Sequence, residues 1–399
     1  MRQAGVLWVN AEIYTPGERI VDGRMLIGSD GRIEAVGGSE LAAEAGVAVK
    51  DAGGCRMLPG FIDVHVHGGG GFDAMESRAA LLGVSRYHAA YGTTAFLATT
   101  ATDRADRIEA ALADWRSAAS EGAPGLQGAD LIGIHLEGPF LNARRGGAQN
   151  PEFLRMPDTY EMQRYLDAAG GWMRLVTLAP ELPDAERLIS MLRERDIVVS
   201  AGHTDASYDE IRSASALGVS HMTHHYNGMS PMTQRAPGAT GAGLLLSELT
   251  IELIVDGHHI HPSMVAMAYA LKPADRIVLI TDAVICAGCP DGLYEMDGMR
   301  IRMEDGKVML EDGSSLAGSG LNMLQALRNA MAFTGLPIER ILPSLTVHPA
   351  RVAGVSHRKG SLVPGMDADF VMIDSDWNVL RTCVRGKEVY VKDGQNHDL

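Results

Sequence analysis

The sequence predicts an α/β fold: a TIM-like (β/α)8 barrel with a small β-sandwich domain built from both chain ends. Two observations predict it. In the middle of the chain, eight short apolar runs rich in β-branched residues alternate with stretches of helical period. The two chain ends instead alternate strand-like runs with turn signals such as Asp30-Gly31. The expected division is 1–56 and 348–399 for the small domain and 57–347 for a catalytic barrel.

The eight barrel strands are predicted at residues 61–67, 94–99, 131–137, 175–179, 197–202, 220–225, 251–256 and 277–282. Helices are predicted between them, for example at 79–91, 105–119, 184–194 and 208–217. Strands that alternate with helices pair in parallel, and eight such units favour a closed barrel. An open doubly wound sheet is the alternative.

Composition excludes several classes of function. The 399 residues include 35 Lys and Arg against 50 Asp and Glu, a net charge of −15, with no basic cluster longer than a pair. This excludes a general binder of nucleic acid or of anionic membranes. Four cysteines are too few for a disulfide scaffold. We find neither a signal-peptide pattern nor a run approaching the ~20 apolar residues that span a bilayer, and therefore expect a cytoplasmic protein.

Polar residues gather where the predicted strands end. The carboxyl ends of all barrel strands meet at one face, where barrel enzymes carry their active sites. His65 and His67 lie two residues apart on one strand and therefore point the same way. Glu137, His203 and His224 lie at the ends of three other strands. Imidazole and carboxylate groups are ligands for divalent metals, so the pattern predicts a metal site.

Asp282 ends the eighth predicted strand. Beside the predicted metal site, its carboxylate is suited to take a proton from water. The alternative is an N-cap for the next helix. Cys286 and Cys289 have the spacing of redox or zinc sites, but the sequence holds no second pair, and we expect ordinary thiols.

Several segments along nearly the whole chain have a distinctive sequence. They are PGFIDVHVHGG at 59–69, GIHLEGPF at 133–140, LAPE at 178–181, SAGHT at 200–204, THHYN at 223–227, DGHH at 256–259, LITDA at 279–283 and GSLVPGMDAD at 360–369. Together they resemble the N-acetylglucosamine-6-phosphate deacetylase family of the amidohydrolase superfamily. The resemblance implies hydrolysis of the acetamide of N-acetyl-D-glucosamine 6-phosphate, yielding D-glucosamine 6-phosphate and acetate in amino-sugar catabolism.

The resemblance also implies a set of metal ligands. Glu137, His203 and His224 match the principal ligands of the family. His65 and His67 match a pair that, in members having it, holds a second metal with Glu137 as the bridge. The expected cofactor is a divalent metal, with one or two ions per subunit. Zinc suits these ligands, and iron, manganese and cobalt are alternatives.

Further positions match the substrate-binding and catalytic residues of the family. Asp282 matches the catalytic aspartate, and His259 matches the histidine that contacts the acetyl carbonyl. Asn227, the backbone of Gly228, and Arg235 match the phosphate-binding positions. The arginine is expected to reach in from the neighbouring subunit, which implies a homodimer with shared active sites and a sugar phosphate as the small-molecule partner.

Three alternatives are weighed against this interpretation. An N-acetylgalactosamine-6-phosphate deacetylase differs in one hydroxyl configuration of its substrate, and the sequence does not distinguish it. Cyclic amidases such as dihydroorotase usually bridge their metals with a carboxylated lysine after strand 4, where this chain has LAPE. An inactive binding protein would have lost ligands that are all present. Gln149 stands where many family members have a histidine near the sugar, and its role is left open.

Overall fold

The computed structural model describes residues 5–43, 46–121, 127–296 and 298–392. Its strands are β1 (Val6–Thr15), β2 (Glu18–Ile27), β3 (Ile33–Gly37), β4 (Ala48–Asp51), β5 (Arg56–Pro59), β6 (Phe61–Val66), β7 (Gly68–Gly69), β8 (Phe72–Asp73), β9 (Thr93–Thr99), β10 (Asp130–Glu137), β11 (Met173–Leu178), β12 (Val198–Ala201), β13 (Val219–Met222), β14 (Thr250–Ile254), β15 (Ile277–Ile280), β16 (Gly292–Met296), β17 (Met299–Glu304), β18 (Lys307–Leu310), β19 (Phe370–Ile373), β20 (Val379–Val384) and β21 (Lys387–Val391).

The α-helices are α1 (Arg78–Ala89), α2 (Ala105–Glu121), α3 (Thr159–Ala169), α4 (Ala185–Arg193), α5 (Tyr208–Leu217), α6 (Gly238–Leu245), α7 (Pro262–Leu271), α8 (Met323–Thr334), α9 (Ile338–Ile341) and α10 (Val347–Val352). Short 3-10 helices lie at Ala143–Arg145, Pro151–Phe153, Ala274–Arg276 and Leu342–Leu345. None of the helices in the described ranges combines the length and the apolar character that crossing a bilayer requires.

Eight parallel strands form the barrel, in the order β6, β9, β10, β11, β12, β13, β14, β15. The first and last strands meet, because the Asp282 N–H donates to the His65 carbonyl (3.0 Å) and Val66 bridges Ala283 in parallel. Every residue of β6, β9 and β10 is buried, as expected for parallel strands covered on both faces. The predicted barrel is confirmed.

Local signals explain where the barrel helices begin and end. The Ser207 hydroxyl accepts from the Glu210 N–H while the Glu210 carboxylate accepts from the Ser207 N–H, a capping box that starts α5. Gly170 ends α3 in the left-handed conformation, at φ +55°, which glycine adopts without steric cost. These short-range bonds satisfy terminal backbone groups that would otherwise lack partners.

Three predicted strands extend too far. The strands expected to end at 225, 256 and 282 instead end at Met222, Ile254 and Ile280. Past the strand ends the backbone turns sharply, and His203, His224 and Asp282 have φ values of +46°, +28° and +50°. Non-glycine residues in such conformations cost of order 1–3 kcal/mol each, and they cluster where a site demands them.

The strands of both chain ends share one eight-stranded sheet, in the order β21, β20, β19, β5, β1, β2, β3, with β4 paired to β1. Strand β19 runs antiparallel to β5, with Phe370 opposite Pro59. The sheet curls around its own core, since the Ala368 N–H reaches the Gly31 carbonyl at 2.9 Å. The small β domain built from both chain ends is confirmed. The boundaries at 56/57 and 347/348 stay a prediction.

A buried ionic cluster ties the small domain to the barrel. The ammonium of Lys359 lies 2.5 Å from Asp369, 3.2 Å from Asp367 and 3.3 Å from Asp130, the first residue of β10. The side chain of Lys359 is buried. Its positive charge therefore compensates carboxylates that have little access to water.

Lys359→Met should lower the free energy of unfolding by about 3–5 kcal/mol, because removing one partner leaves uncompensated buried charge. Urea denaturation of the purified variant measures this. The matched control is Lys387→Met, an exposed lysine for which a change within about 0.5 kcal/mol is expected. Equal stability of the two variants would contradict the assignment.

One element was not anticipated. Strands β16, β17 and β18 form a separate antiparallel sheet between β15 and α8. Ile301, Met303 and Val308 contribute to a small core of its own. Met296, the last residue of β16, and Met299, the first residue of β17, line a cavity at the mouth of the barrel.

Candidate active site

A cavity of about 220 Å³ lies at the carboxyl ends of the barrel strands. Eight of the predicted site residues line it: His67, Glu137, His203, His224, Asn227, Gly228, His259 and Asp282. His65 is fully buried and contacts this group. Arg235 does not line the cavity of its own chain. The strand ends thus bring together nine side chains or backbone segments that are far apart in sequence.

Glu137, His203 and His224 form the first group of possible metal ligands. The Nε2 atoms of the two histidines lie 3.3 and 3.1 Å from Glu137 Oε1 and 3.0 Å from each other. Each Nδ1 is bonded to a backbone carbonyl, that of Arg145 at 2.8 Å and that of Asn227 at 3.1 Å. A carbonyl only accepts, so each ring donates through Nδ1 and directs its Nε2 toward Glu137. Once Nε2 has no proton, the two rings and the carboxylate offer converging electron pairs, which suit a divalent cation.

His65, His67 and Asp282 form the second group. The two Nε2 atoms are 3.2 Å apart, and His67 Nε2 lies 3.2 Å from Asp282 Oδ1. Glu137 lies between the two groups, since its Oε2 is 3.4 Å from His67 Nε2 while its Oε1 faces the first group. A carboxylate in this position can bridge two adjacent cations.

The electrostatics of the cluster favour ionised carboxylates. Burial alone would raise the pKa of Glu137, but the charge of His65 and hydrogen bonds with His203 and His224 hold that pKa well below its usual value. Burial likewise opposes ionisation of Asp282, yet the charge of His65 and the hydrogen bond with His67 lower its pKa. Metal binding requires deprotonated carboxylates, and the lowered pKa values of Glu137 and Asp282 favour that form.

His259 lies at the wall of the cavity and is held by Asp256. Asp256 accepts from the His259 ring at Nδ1 (2.7 Å) and from its backbone N–H (2.8 Å). The carboxylate fixes the ring with Nδ1 as the donor. Its Nε2 can donate to an oxygen in the cavity only when that nitrogen also carries a proton.

Asn227 and Gly228 form a turn beyond β13, at the edge of the cavity. Gly228 has φ +58°, and a Cβ there would lie 3.0 Å from His203 Nδ1, which is tighter than side chains normally tolerate. Among the residues that the structure describes, the Gly228 N–H has no hydrogen-bond partner. It is a backbone donor available to an anion.

Arg235 lies in an exposed stretch, 231–236. It makes neither an ion pair nor a side-chain hydrogen bond with any of the residues that the structure describes. Within the described part of the chain its guanidinium is therefore available to another group.

Sequence reasoning missed two contacts with the site. Gln149, whose role was open, donates from Nε2 to Glu137 Oε2 (3.0 Å) and accepts from the Thr102 N–H (2.9 Å). Glu252, in the middle of β14, accepts from His65 Nδ1 (3.0 Å). A charged residue inside an apolar strand is a signal for Glu252, whereas the loop around Gln149 has no pattern that marks it.

The structure bears on two alternatives from the sequence. Asp282 does not cap the next helix, because Asn322 caps α8. Cys286 and Cys289 are both free thiols, and Cys286 is buried. Neither cysteine belongs to the two groups of possible metal ligands.

Comparison with known proteins gives a consistent result. The amidohydrolase family matches residues 56–389. An N-acetylglucosamine-6-phosphate deacetylase of Bacillus subtilis is 37% identical over 95% of this chain and 96% of its own length. An N-acetylgalactosamine-6-phosphate deacetylase of Escherichia coli O157:H7 is 36% identical over 86% of this chain and 89% of its own.

A solved structure gives the same result. It is a mutant N-acetyl-D-glucosamine-6-phosphate deacetylase of Mycobacterium smegmatis in complex with N-acetyl-D-glucosamine 6-phosphate. It superimposes with a TM-score of 0.89 at 32% identity, covering 97% of this chain and all of the other.

Proposed function

This chain belongs to the amidohydrolase family, and we propose that it hydrolyses the acetamide of N-acetyl-D-glucosamine 6-phosphate to D-glucosamine 6-phosphate and acetate. The observation that carries this proposal is the pairing of two ligand groups around Glu137 beside Asp282. In barrel enzymes the strand ends determine the chemistry, and here they hold what amide hydrolysis needs.

In this proposal Glu137, His203 and His224 would hold one divalent cation, and His65 and His67, with Glu137 beside them, would hold a second. Zinc is the proposed ion because His and Glu ligands suit it, and iron, manganese or cobalt would suit the same donors. When bound, such a cation acts as a Lewis acid and can lower the pKa of water from about 15.7 to about 7.

Asp282 moves the proton in the proposed reaction. Its ionised carboxylate accepts a proton from the attacking water and later delivers it to the departing sugar nitrogen. His259, held by Asp256, donates from Nε2 to the acetyl oxygen as negative charge develops there. Asp282 thus assists both attack and departure, and His259 stabilises the charge that develops between them.

The phosphate needs local donors, since the chain carries a net charge of −15. We assign it to Asn227, to the backbone N–H of Gly228 and to Arg235 from a second subunit. A guanidinium donates two parallel bonds to a phosphate, which makes arginine well suited to this role.

A homodimer is proposed on the same grounds. Met232, Leu245 and Leu271 are exposed large apolar residues on and near α6 and α7, in the region that carries Arg235. The ammonium of Lys272 donates to the Leu246 carbonyl (2.8 Å), which holds the ends of these two helices together. Association with a second copy would cover this surface and bring Arg235 to the partner's cavity.

Arg235→Ala should raise the KM for the 6-phosphate substrate by about 10–100-fold, as expected for a lost charge-assisted pair worth about 1.5–3 kcal/mol. Turnover of unphosphorylated N-acetylglucosamine should hardly change. Steady-state kinetics with both sugars measures the difference. Arg212→Ala, on an exposed face of α5, is the control. An equal effect on both sugars would contradict phosphate recognition.

Mixing Arg235→Ala subunits with Asp282→Asn subunits should restore part of the activity. A hybrid dimer contains one site in which both groups are intact, because the arginine comes from the other subunit. Subunit exchange is verified independently with differently tagged chains. If verified hybrids show no recovery, Arg235 does not act in the partner's site.

Acetate release from the gluco and galacto 6-phosphates, assayed side by side, tests the substrate. The galacto substrate is the second candidate, because an N-acetylgalactosamine-6-phosphate deacetylase is nearly as similar to this chain as an N-acetylglucosamine-6-phosphate deacetylase. We expect the larger kcat/KM for the gluco compound. No acetate from either sugar would contradict the proposed function.

We also propose a cytoplasmic location. The four cysteines are free thiols, and three of them are buried. Reducing compartments keep thiols in this state.

A further inference from the structure

Glu252 is a fully buried carboxylate in the barrel interior, with none of its surface exposed. Burying a carboxylate is costly unless hydrogen bonds and positive charge compensate it. Among the described residues neither a lysine nor an arginine pairs with it. Its partners are two imidazoles and one backbone N–H.

These three hydrogen bonds are divided between the two carboxylate oxygens. Oε2 accepts from His65 Nδ1 (3.0 Å) and from the His224 N–H (3.0 Å), whereas Oε1 accepts from His221 Nε2 (2.9 Å). One side chain therefore contacts a histidine of the second ligand group and the backbone of a histidine of the first.

The bond to His65 determines how that ring can act. An ionised carboxylate only accepts, so the His65 ring carries a proton on Nδ1. Its Nε2 then faces His67 and Asp282 and is the nitrogen left to bind a cation once it has no proton. Partners of this kind fix the tautomer and orientation of a ligating imidazole.

In the first ligand group the orientation of the rings depends on different partners. His203 and His224 donate through Nδ1 to the backbone carbonyls of Arg145 and Asn227. Side-chain substitution does not remove a backbone carbonyl. The orientation of His65 depends instead on one replaceable carboxylate.

We infer that Glu252 is a positioning residue that prepares His65 as a metal ligand and sets the affinity of the His65, His67 and Asp282 group for its cation. The inference deepens the proposed function and rests on it only in requiring that the site bind metal. It assigns Glu252 less influence on the cation held by Glu137, His203 and His224, because in that group Glu252 contacts only the backbone N–H of His224 and no ligating ring.

Glu252→Gln tests this with a side chain of the same shape. Cation affinity at the His65, His67 and Asp282 group should fall by about 10–100-fold, the usual effect of losing a partner of a ligating residue. Affinity at the other group should stay within about threefold, since its rings keep their carbonyl partners. Metal-free protein is titrated with Zn²⁺ against a chelator and with Co²⁺ while its visible absorption is followed.

The matched control is Asp130→Asn, another buried carboxylate changed to an amide, at the opposite end of a barrel strand. It contacts Lys359 and Arg385 and none of the metal ligands. Asp130→Asn should change the thermal midpoint and leave both cation affinities as they were. This separates a loss of stability from a loss of ligand orientation.

A second measurement does not depend on the variant folding. In the metal-loaded wild type, ¹⁵N NMR of the His65 ring should show a proton on Nδ1. The inference would be overturned if the His65 ring coordinated the cation through Nδ1. It would also be overturned if Glu252→Gln lost cation affinity equally at both ligand groups or at neither. A His65, His67 and Asp282 group that takes up no cation at millimolar Zn²⁺ or Co²⁺ would overturn it as well. Acetate release is assayed separately, so an inactive protein with the expected metal pattern would refute the proposed function alone.

Discussion

His203→Ala is expected to abolish deacetylation and remove the cation of the first ligand group in the same variant. The substitution deletes one of three converging ligands and leaves Glu137 and His224 without the geometry that holds an ion. Loss of about 4 kcal/mol of stabilisation of the transition state corresponds to roughly a 10³-fold decrease in rate. Elemental analysis of the purified variant and an acetate-release assay measure both effects together.

The control for losing an imidazole is His258→Ala. His258 is exposed and lies next to His259 without lining the cavity. The metal content and turnover of the His258→Ala variant should match those of the wild type within about twofold, as for surface substitutions in general. A His203→Ala enzyme with full metal and full rate would refute the assignment of the first group.

Asp282→Asn should reduce kcat by about 10²–10⁴-fold, the usual contribution of general acid–base catalysis. The amide keeps the shape of the side chain but cannot accept the proton of the attacking water. Metal bound by Glu137, His203 and His224 should remain, because Asp282 belongs to the other group. KM should change little. Steady-state kinetics with elemental analysis distinguishes this outcome from that of His203→Ala.

Asp114→Asn, an exposed aspartate of α2, controls for the loss of one carboxylate. Its kcat should be unchanged. If Asp282→Asn lost less than about threefold in kcat, proton transfer would belong to another group, since general acid–base catalysis contributes far more than that.

The fold was predictable because its signal is local. A buried parallel strand is a short β-branched run, and the barrel strands repeat that signal between helical stretches. Helix α5 was predicted at its observed bounds, which a capping box and a terminal glycine define. Strands β16 to β18 were missed because they are short and half exposed, so their apolar pattern is weak.

The site was predictable only in part. The rule that active-site residues lie at the carboxyl ends of barrel strands selects the histidines and carboxylates that the structure brings together, since all these strands end at one face. It also extended strands through His224 and Asp282, whose residue types do not reveal a left-handed backbone. The contacts of Gln149 and Glu252 depend on which rotamers meet across the barrel, and this information is not local in the sequence.

The sheet shared by the two chain ends has a consequence for folding during synthesis. Strand β5 pairs with β19, and Leu58 and its partner Val371 lie more than 300 positions apart. At the usual ribosomal speed of about 5–20 residues per second, roughly 15–60 s separate their emergence. During that interval β5 offers an open edge for pairing with other chains. Nascent chains that stop before β19 should therefore aggregate. The last strands of the chain thus protect the first strands from pairing with other molecules.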